Sequence, residues 1–123
     1  MKGNANKTFR ITKQTTDSAT IVLLGGELDL SAATDLAEEL QPLLAQRERS
    51  LILNMRELSY IDSTGIGILV SVLKARGAAN APFAVEDVPP RIQRLFDLTG
   101  ITKHLASSIS LDHSMAEGNE RIG

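Results

Sequence analysis

The chain has 123 residues, a net charge of -2 and a sequence pI of about 5.6. It contains no cysteine, which excludes disulfides and thiolate metal sites. No basic face or set of stacking aromatic residues is evident, so nucleic-acid binding is disfavoured. The length predicts one domain, and the polar start and lack of a long apolar run predict a cytoplasmic chain without a membrane segment.

The first predicted elements are two strands joined by a turn. Phe9 and Ile11 alternate with polar residues, 15–18 has turn composition, and 19–24 has the composition of a second strand. The short connection predicts a β-hairpin at the start of the domain.

A helix and a buried strand are predicted next. Ser31 is a suitable N-cap for a helix over 32–46, and Pro42 either bends that helix or ends it early. The near-continuous apolar run 51–55 is typical of a central strand that is covered on both faces.

The most informative stretch follows this strand. Asp62 or Ser63 is expected to cap a helix that runs to about Gly77. Gly65 and Gly67 each cost roughly 1 kcal/mol in a helix relative to Ala, which suggests that something approaches the backbone closely there.

The remaining chain predicts a strand over 83–85, a helix from Pro89 to Thr99 and a short strand over 108–111. The fold class is therefore α/β, with a mixed, mostly parallel sheet opened by a hairpin and flanked by helices. We assign residues 1–112 to the domain and 113–123 to a polar C-terminal tail.

Polar residues follow three of the predicted strands, where parallel sheets bind ligands and partners. We expect three pairs to converge on one edge of the sheet: Asp29 with Ser31, Asp62 with Ser63, and Glu86 with Asp87.

The helix after Ser63 has two apolar stripes. One is an ordinary core face, formed by Ile66, Leu69, Val70 and Leu73. The other is formed by Ile68, Val72 and Ala75, and either packs within the domain or forms an exposed patch for a partner. Ser71, Lys74 and Arg76 are expected to keep this helix soluble.

The sequence does not predict an enzyme. The nucleophile-elbow pattern and the phosphate-binding glycine loops are absent, and nothing places His104 or His113 beside Ser63. No spacing of ligands predicts a metal site, and no cofactor is expected. Ser63 is either a simple helix cap or a phosphorylation site whose charge alters a contact surface.

Two motifs resemble those of STAS-domain anti-sigma factor antagonists: Gly26-Glu27-Leu28-Asp29, and Tyr60-Ile61-Asp62-Ser63-Thr64-Gly65-Ile66-Gly67-Ile68-Leu69. The resemblance extends from about Phe9 to Leu111. It implies that the unphosphorylated chain binds an anti-sigma factor that is also a serine kinase, and so releases a sigma factor. It further implies that the kinase phosphorylates Ser63, that this abolishes binding, and that a serine phosphatase resets the switch.

Carried over by motif, Ser63 is the implied acceptor and Thr64 a lesser candidate. The implied partner-binding residues are Asp29, Asp62, Ser63, Thr64, Gly65, Ile66, Gly67, Ile68 and Val72. Two alternatives stay open: a STAS scaffold subunit of a signalling or lipid-transport complex without a kinase, and a sensor that binds a nucleotide or anion at the helix start. The oligomeric state is expected to be a monomer or weak dimer.

Overall fold

The computed structural model of the chain describes residues 9–101, 103 and 109–110. Its strands are β1 (Phe9–Thr15), β2 (Ala19–Leu28), β3 (Ser50–Ile61), β4 (Phe83–Glu86) and β5 (Ile109–Ser110). They form one sheet in the order of the chain, antiparallel between β1 and β2 and parallel elsewhere. The predicted mixed sheet opened by a hairpin is therefore confirmed. The predicted tail and both histidines lie outside the described residues.

The helices are α1 (Leu30–Leu40), α2 (Ser63–Ala78) and α3 (Pro90–Thr99). The predicted N-cap of α1 is wrong, because Asp29 rather than Ser31 is its N-cap. Of the two alternatives for its end, the early one is confirmed, since the helix ends at Leu40. A 3₁₀ turn over Gln41–Leu43 follows, with Pro42 inside it. A proline cannot donate the backbone hydrogen bond that would continue an α-helix, so the earlier ending is the one the chain adopts.

Strands β2 and β3 extend further than their apolar runs predict. They pair in parallel to their last residues, so that Leu28 lies opposite Ile61. Two irregularities interrupt the register on the way, and local side chains bond beside them. The Asn54 amide oxygen accepts from the Arg56 amide at 2.9 Å, and the Ser59 hydroxyl donates to the Gly26 carbonyl at 3.1 Å.

The core is a single, mostly aliphatic cluster to which the sheet and all three helices contribute. Its most completely buried apolar side chains include Leu24, Leu28, Leu36, Leu53, Met55, Ile61, Leu69, Ile92 and Phe96. Leu28 and Ile61 close this core at the strand ends, so the turns that follow begin directly at the surface.

Arg76 is buried, contrary to the expectation that it keeps α2 soluble. Its side chain is among the largest fully buried ones, and burial lowers the pKa of its guanidinium. The guanidinium donates to five backbone carbonyls, those of Leu43, Leu44, Gln46, Arg49 and Pro82. These bonds tie the C-terminal part of α2 to the segment after α1 and to the loop before β4.

Candidate functional site: the paired starts of α1 and α2

The candidate site lies where two parallel strands end side by side. Because Leu28 and Ile61 are register partners, the two segments that follow them are neighbours. Asp29 and Asp62 occupy the first position after each strand, and each caps the next helix. We call residues 27–33 and 59–68 together the rim. The predicted convergence of Asp29 with Asp62 is confirmed.

Asp62 settles which residue caps α2. It has an extended backbone, with φ -111° and ψ -173°, and Ser63 is the first helical residue. One carboxylate oxygen accepts from the amides of Thr64 at 3.0 Å and Gly65 at 3.1 Å. The Asp62 amide donates to the Leu28 carbonyl at 3.3 Å, which links this start to the end of β2.

Asp29 repeats this geometry at the start of α1. Its φ of -109° and ψ of -167° nearly match those of Asp62. Its carboxylate accepts from the Ala32 amide at 3.1 Å and from the Ser31 hydroxyl at 3.2 Å. The hydroxyl nearest to this cap is therefore already engaged by it.

Ser63 is the most available serine or threonine hydroxyl of the rim. Its side chain is exposed, whereas Thr64 is half-buried. Within the described part of the chain, no hydrogen bond engages the Ser63 hydroxyl, in contrast to that of Ser31. Accessibility favours Ser63 over Thr64 as the reactive position, and the lack of a hydrogen bond favours it over Ser31.

The two glycines of α2 have different surroundings. Gly65 is buried, and a methyl group there would lie 2.8 Å from the Leu28 carbonyl oxygen and 2.7 Å from Ile61 Cγ1. Its small size is required by internal packing, so the explanation that it admits a partner is wrong for Gly65. Gly67 is exposed, with no atom within 4 Å of such a methyl. Gly67 stays a predicted partner contact.

The second apolar stripe of α2 is not an exposed patch. Val72 is only 3% exposed and belongs to the core, so its predicted role in partner binding is wrong. Ile66, Ile68 and Ala75 are half-buried, and Ile66 and Ile68 pack against the core. The alternative in which the helix packs within the domain is the one that the structure adopts.

Two exposed apolar side chains of the rim were not predicted. Leu30, the first residue of α1, is 68% exposed, and Tyr60 near the end of β3 is 48% exposed. Leu30 lies outside the buried face of α1, which includes Ala33, Leu36 and Leu40. An apolar residue next to a capping Asp and off the core face is the sequence signal that identifies it.

The third predicted pair does not join the rim. Glu86 ends β4 opposite Asn54, and Ile61 lies seven residues, or roughly 23 Å of strand, further along β3. The Asp87 carboxylate is engaged by Asn54, whose amide nitrogen donates to it at 2.8 Å. Arg56 lies 3.9 Å from the same carboxylate.

The rim is acidic and contains no basic residue. Its two segments include Glu27, Asp29 and Asp62 but no lysine, arginine or histidine. Such a surface offers no side chain of its own to neutralise a phosphate and no imidazole to activate a serine. Among the described residues, no group of three or more potential metal ligands occurs, and no helix is long and apolar enough to cross a membrane.

Comparison with known proteins agrees with this geometry. The STAS domain family profile matches residues 10–116. The chain is 37% identical over 93 residues to the anti-sigma-B factor antagonist of Staphylococcus aureus (strain NCTC 8325 / PS 47), an alignment that covers 76% of this chain and 86% of that protein. The chain belongs to the STAS-domain anti-sigma factor antagonists. It is therefore a regulatory protein and not an enzyme.

Solved structures share the STAS fold of this chain. An anti-sigma factor antagonist from Mycobacterium paratuberculosis superposes with a TM-score of 0.75 at 21% identity, covering 92% of this chain and 94% of the other. The Bacillus cell fate determinant SpoIIAA in its phosphorylated form gives a TM-score of 0.65 at 21% identity, covering 94% and 99%. At this identity the two structures establish the fold alone.

Proposed function

We propose that the unphosphorylated chain binds an anti-sigma factor with serine kinase activity, so that a sigma factor is released, and that phosphorylation of Ser63 ends this binding. The observation that carries the proposal is the exposed, unbonded Ser63 hydroxyl at the start of α2, beside the capping Asp62. A serine phosphatase restores the binding form. Asp29, Thr64, Ile66, Gly67 and Ile68 stay predicted contacts of the kinase.

In the proposed phosphorylation the Ser63 oxygen attacks the γ-phosphorus of ATP. A bond forms between this oxygen and phosphorus while the bond to the β-phosphate oxygen breaks, and ADP leaves. The hydroxyl proton passes to a general base that we assign to the kinase, because the Asp62 carboxylate beside Ser63 is engaged by the amides of Thr64 and Gly65.

The phosphate would change the surface more than the fold. It brings a charge of about -1.5 to -2 to a segment pair that has three carboxylates and no cation. The Asp62 carboxylate already accepts from the amides of Thr64 and Gly65, which leaves the Ser63 amide for the phosphate in the first turn. Most of the new charge therefore faces outward, where it opposes an anionic or desolvated partner surface.

The relatives support the same assignment. The Staphylococcus aureus relative is an anti-sigma-B factor antagonist, and SpoIIAA has been solved in phosphorylated and unphosphorylated forms. In this chain Ser63 follows the capping Asp62 and precedes Thr64 and Gly65 in the first turn of α2.

The test is incubation of the full chain with its cognate kinase and ATP, followed by mass-spectrometric location of the phosphate. We expect Ser63→Ala to abolish most phosphorylation and to leave kinase binding largely intact. Ser63→Asp should weaken binding on the order of ten- to a hundred-fold in titration calorimetry, because a fixed charge meets the kinase.

Ser31→Ala is the matched control, since Ser31 is the exposed hydroxyl at the start of the neighbouring helix. It should leave phosphorylation unchanged. Phosphate on neither Ser63 nor Thr64 would contradict the switch, and recovery of membrane-transport subunits in place of a kinase would favour the scaffold alternative.

A further inference from the structure

Exposed apolar side chains concentrate at the rim. Among the described residues, the large hydrophobic side chains that are exposed are Leu30 at 68%, Tyr60 at 48% and Leu98 at 76%. Leu98 lies near the C-terminal end of α3, whereas Leu30 and Tyr60 both lie on the rim. The rim therefore combines apolar surface with the available hydroxyl of Ser63.

Leu30 and Ser63 hold equivalent places in two adjacent strand–helix units. Each is two residues beyond a register partner, Leu28 for one and Ile61 for the other, and each is the first residue of its helix. Helices that pack in contact, as α1 and α2 do, have axes about 8–10 Å apart. A partner that reaches the Ser63 hydroxyl is therefore within reach of the Leu30 side chain.

The alternative direction for a docking surface, down the length of α2, offers little apolar area. Val72 is buried, and Ile68 is half-buried against the core. The exposed residues of α2 beyond Ser63 include Gly67, Ser71 and Lys74, which are small or polar. The exposed leucine of the rim instead lies sideways from Ser63, at the start of α1.

We propose that Leu30 is the apolar anchor of the kinase-binding surface, and that this surface reaches from the start of α2 across the strand ends to α1 and not along α2 beyond Ile68. The inference rests on the proposed function. The partner is a folded protein with an apolar pocket for Leu30 next to the nucleotide site that phosphorylates Ser63. The charge of the rim, three carboxylates without a cation, is unsuited to nucleic acid.

Leu30 and Ser63 then have separate tasks. Burial of Leu30 provides affinity, because a large apolar side chain that moves from water into a partner pocket is a typical interface hot spot. Ser63 provides the switch. Leu30 lies on the neighbouring helix and takes no part in the phosphoryl transfer, so its loss should raise the KM of the kinase for this chain and leave kcat nearly unchanged.

The experiment compares Leu30→Ala with Leu98→Ala. The second variant is the control, because it removes a similarly exposed leucine that lies outside the rim. We expect Leu30→Ala to weaken kinase binding on the order of tenfold or more in titration calorimetry, and Leu98→Ala to change it less than about twofold. Leu30→Met keeps the apolar volume and should recover most of the affinity. Thermal unfolding should be nearly unchanged for both alanine variants, because both leucines are exposed.

The possible outcomes separate this inference from the proposed function. If the wild-type chain binds the kinase and is phosphorylated on Ser63, but Leu30→Ala binds as tightly as Leu98→Ala, the anchor is wrong and the proposed function stands. If Leu30→Ala lowers kcat with KM unchanged, Leu30 is not a binding anchor. If the wild-type chain neither binds a kinase nor accepts phosphate, both proposals are wrong.

Discussion

The starts of α1 and α2 have nearly the same backbone conformation and differ in the side chains that they expose. Both follow a parallel strand, and both are capped by an aspartate with nearly the same extended backbone. The first helical residue is Leu30 in one and Ser63 in the other, and both are exposed. One architecture thus presents an apolar side chain and a hydroxyl side by side, which is the combination that a switchable docking surface requires.

The third helical residue shows a deeper difference. It is Ala32 in α1, 1% exposed, and Gly65 in α2. The methyl group of Ala32 fits in its surroundings, whereas one on Gly65 would meet the Leu28 carbonyl oxygen at 2.8 Å. The start of α2 is therefore packed more closely on the strand ends than that of α1.

Gly65→Ala is expected to have the largest effect on stability. The added methyl collides with backbone, which cannot rotate away, so we expect a loss of about 2–3 kcal/mol in the free energy of unfolding. Ala32→Gly, the reciprocal change in α1, should cost about 1 kcal/mol through helix propensity. Urea denaturation followed by circular dichroism measures both, and a Gly65→Ala variant as stable as wild type would contradict the tighter packing at α2.

Replacement of the two capping aspartates should lower the free energy of unfolding by less than Gly65→Ala does. Asp62 accepts from two amides, and Asp29 accepts from one amide and one hydroxyl. Each change to alanine should cost about 0.5–2 kcal/mol, with Asp62→Ala nearer the upper value because it leaves two amides without their acceptor. The same denaturation experiment ranks them. The reverse order would mean that the caps differ in strain or solvation and not in the number of amides they engage.

Gly67→Ala should have the smallest effect on stability, and of opposite sign. Alanine favours a helix and meets no atom within 4 Å, so we expect a gain of up to about 1 kcal/mol. If Gly67 contacts the kinase, the same variant should bind the kinase less tightly in titration calorimetry.

Gly77→Ala is the matched control for that experiment. Gly77 is exposed in the last turn of α2 and also has open space where a methyl would lie. It should gain stability in the same direction without any loss of binding. Equal binding by both variants would show that Gly67 does not face the partner.

Local sequence patterns predicted most of the fold but not the full length of its central strands. The hairpin, α2 and α3 follow from alternation, capping residues and Pro90. The extension of β3 to Ile61 was missed because Arg56 and Glu57 interrupt the apolar run. Pairing with β2 and side-chain bonds beside the irregularities stabilise this part of the strand, and neither is visible in a single segment.

The candidate site was predicted only in part, because some of its contacts also join residues that are far apart in the sequence. Asp62 and Ser63 can be identified from the capping signal and the motif. The roles of Gly65 and Arg76 depend on contacts with backbone atoms that are distant in the sequence. Gly65 is fixed by the Leu28 carbonyl, and Arg76 by five carbonyls from two segments. The rules that charged residues are exposed and that small residues admit a partner cannot detect either contact.

The register between Leu28 and Ile61 has a consequence for how a kinase would select its substrate. Leu30 and Ser63 become neighbours through the pairing of β2 with β3, so a peptide around Ser63 would contain only half of the proposed recognition surface. We expect such a peptide, or a chain whose central strands have separated, to be a poor substrate. Phosphorylation would then act as quality control, because only a correctly folded copy would enter the regulatory cycle.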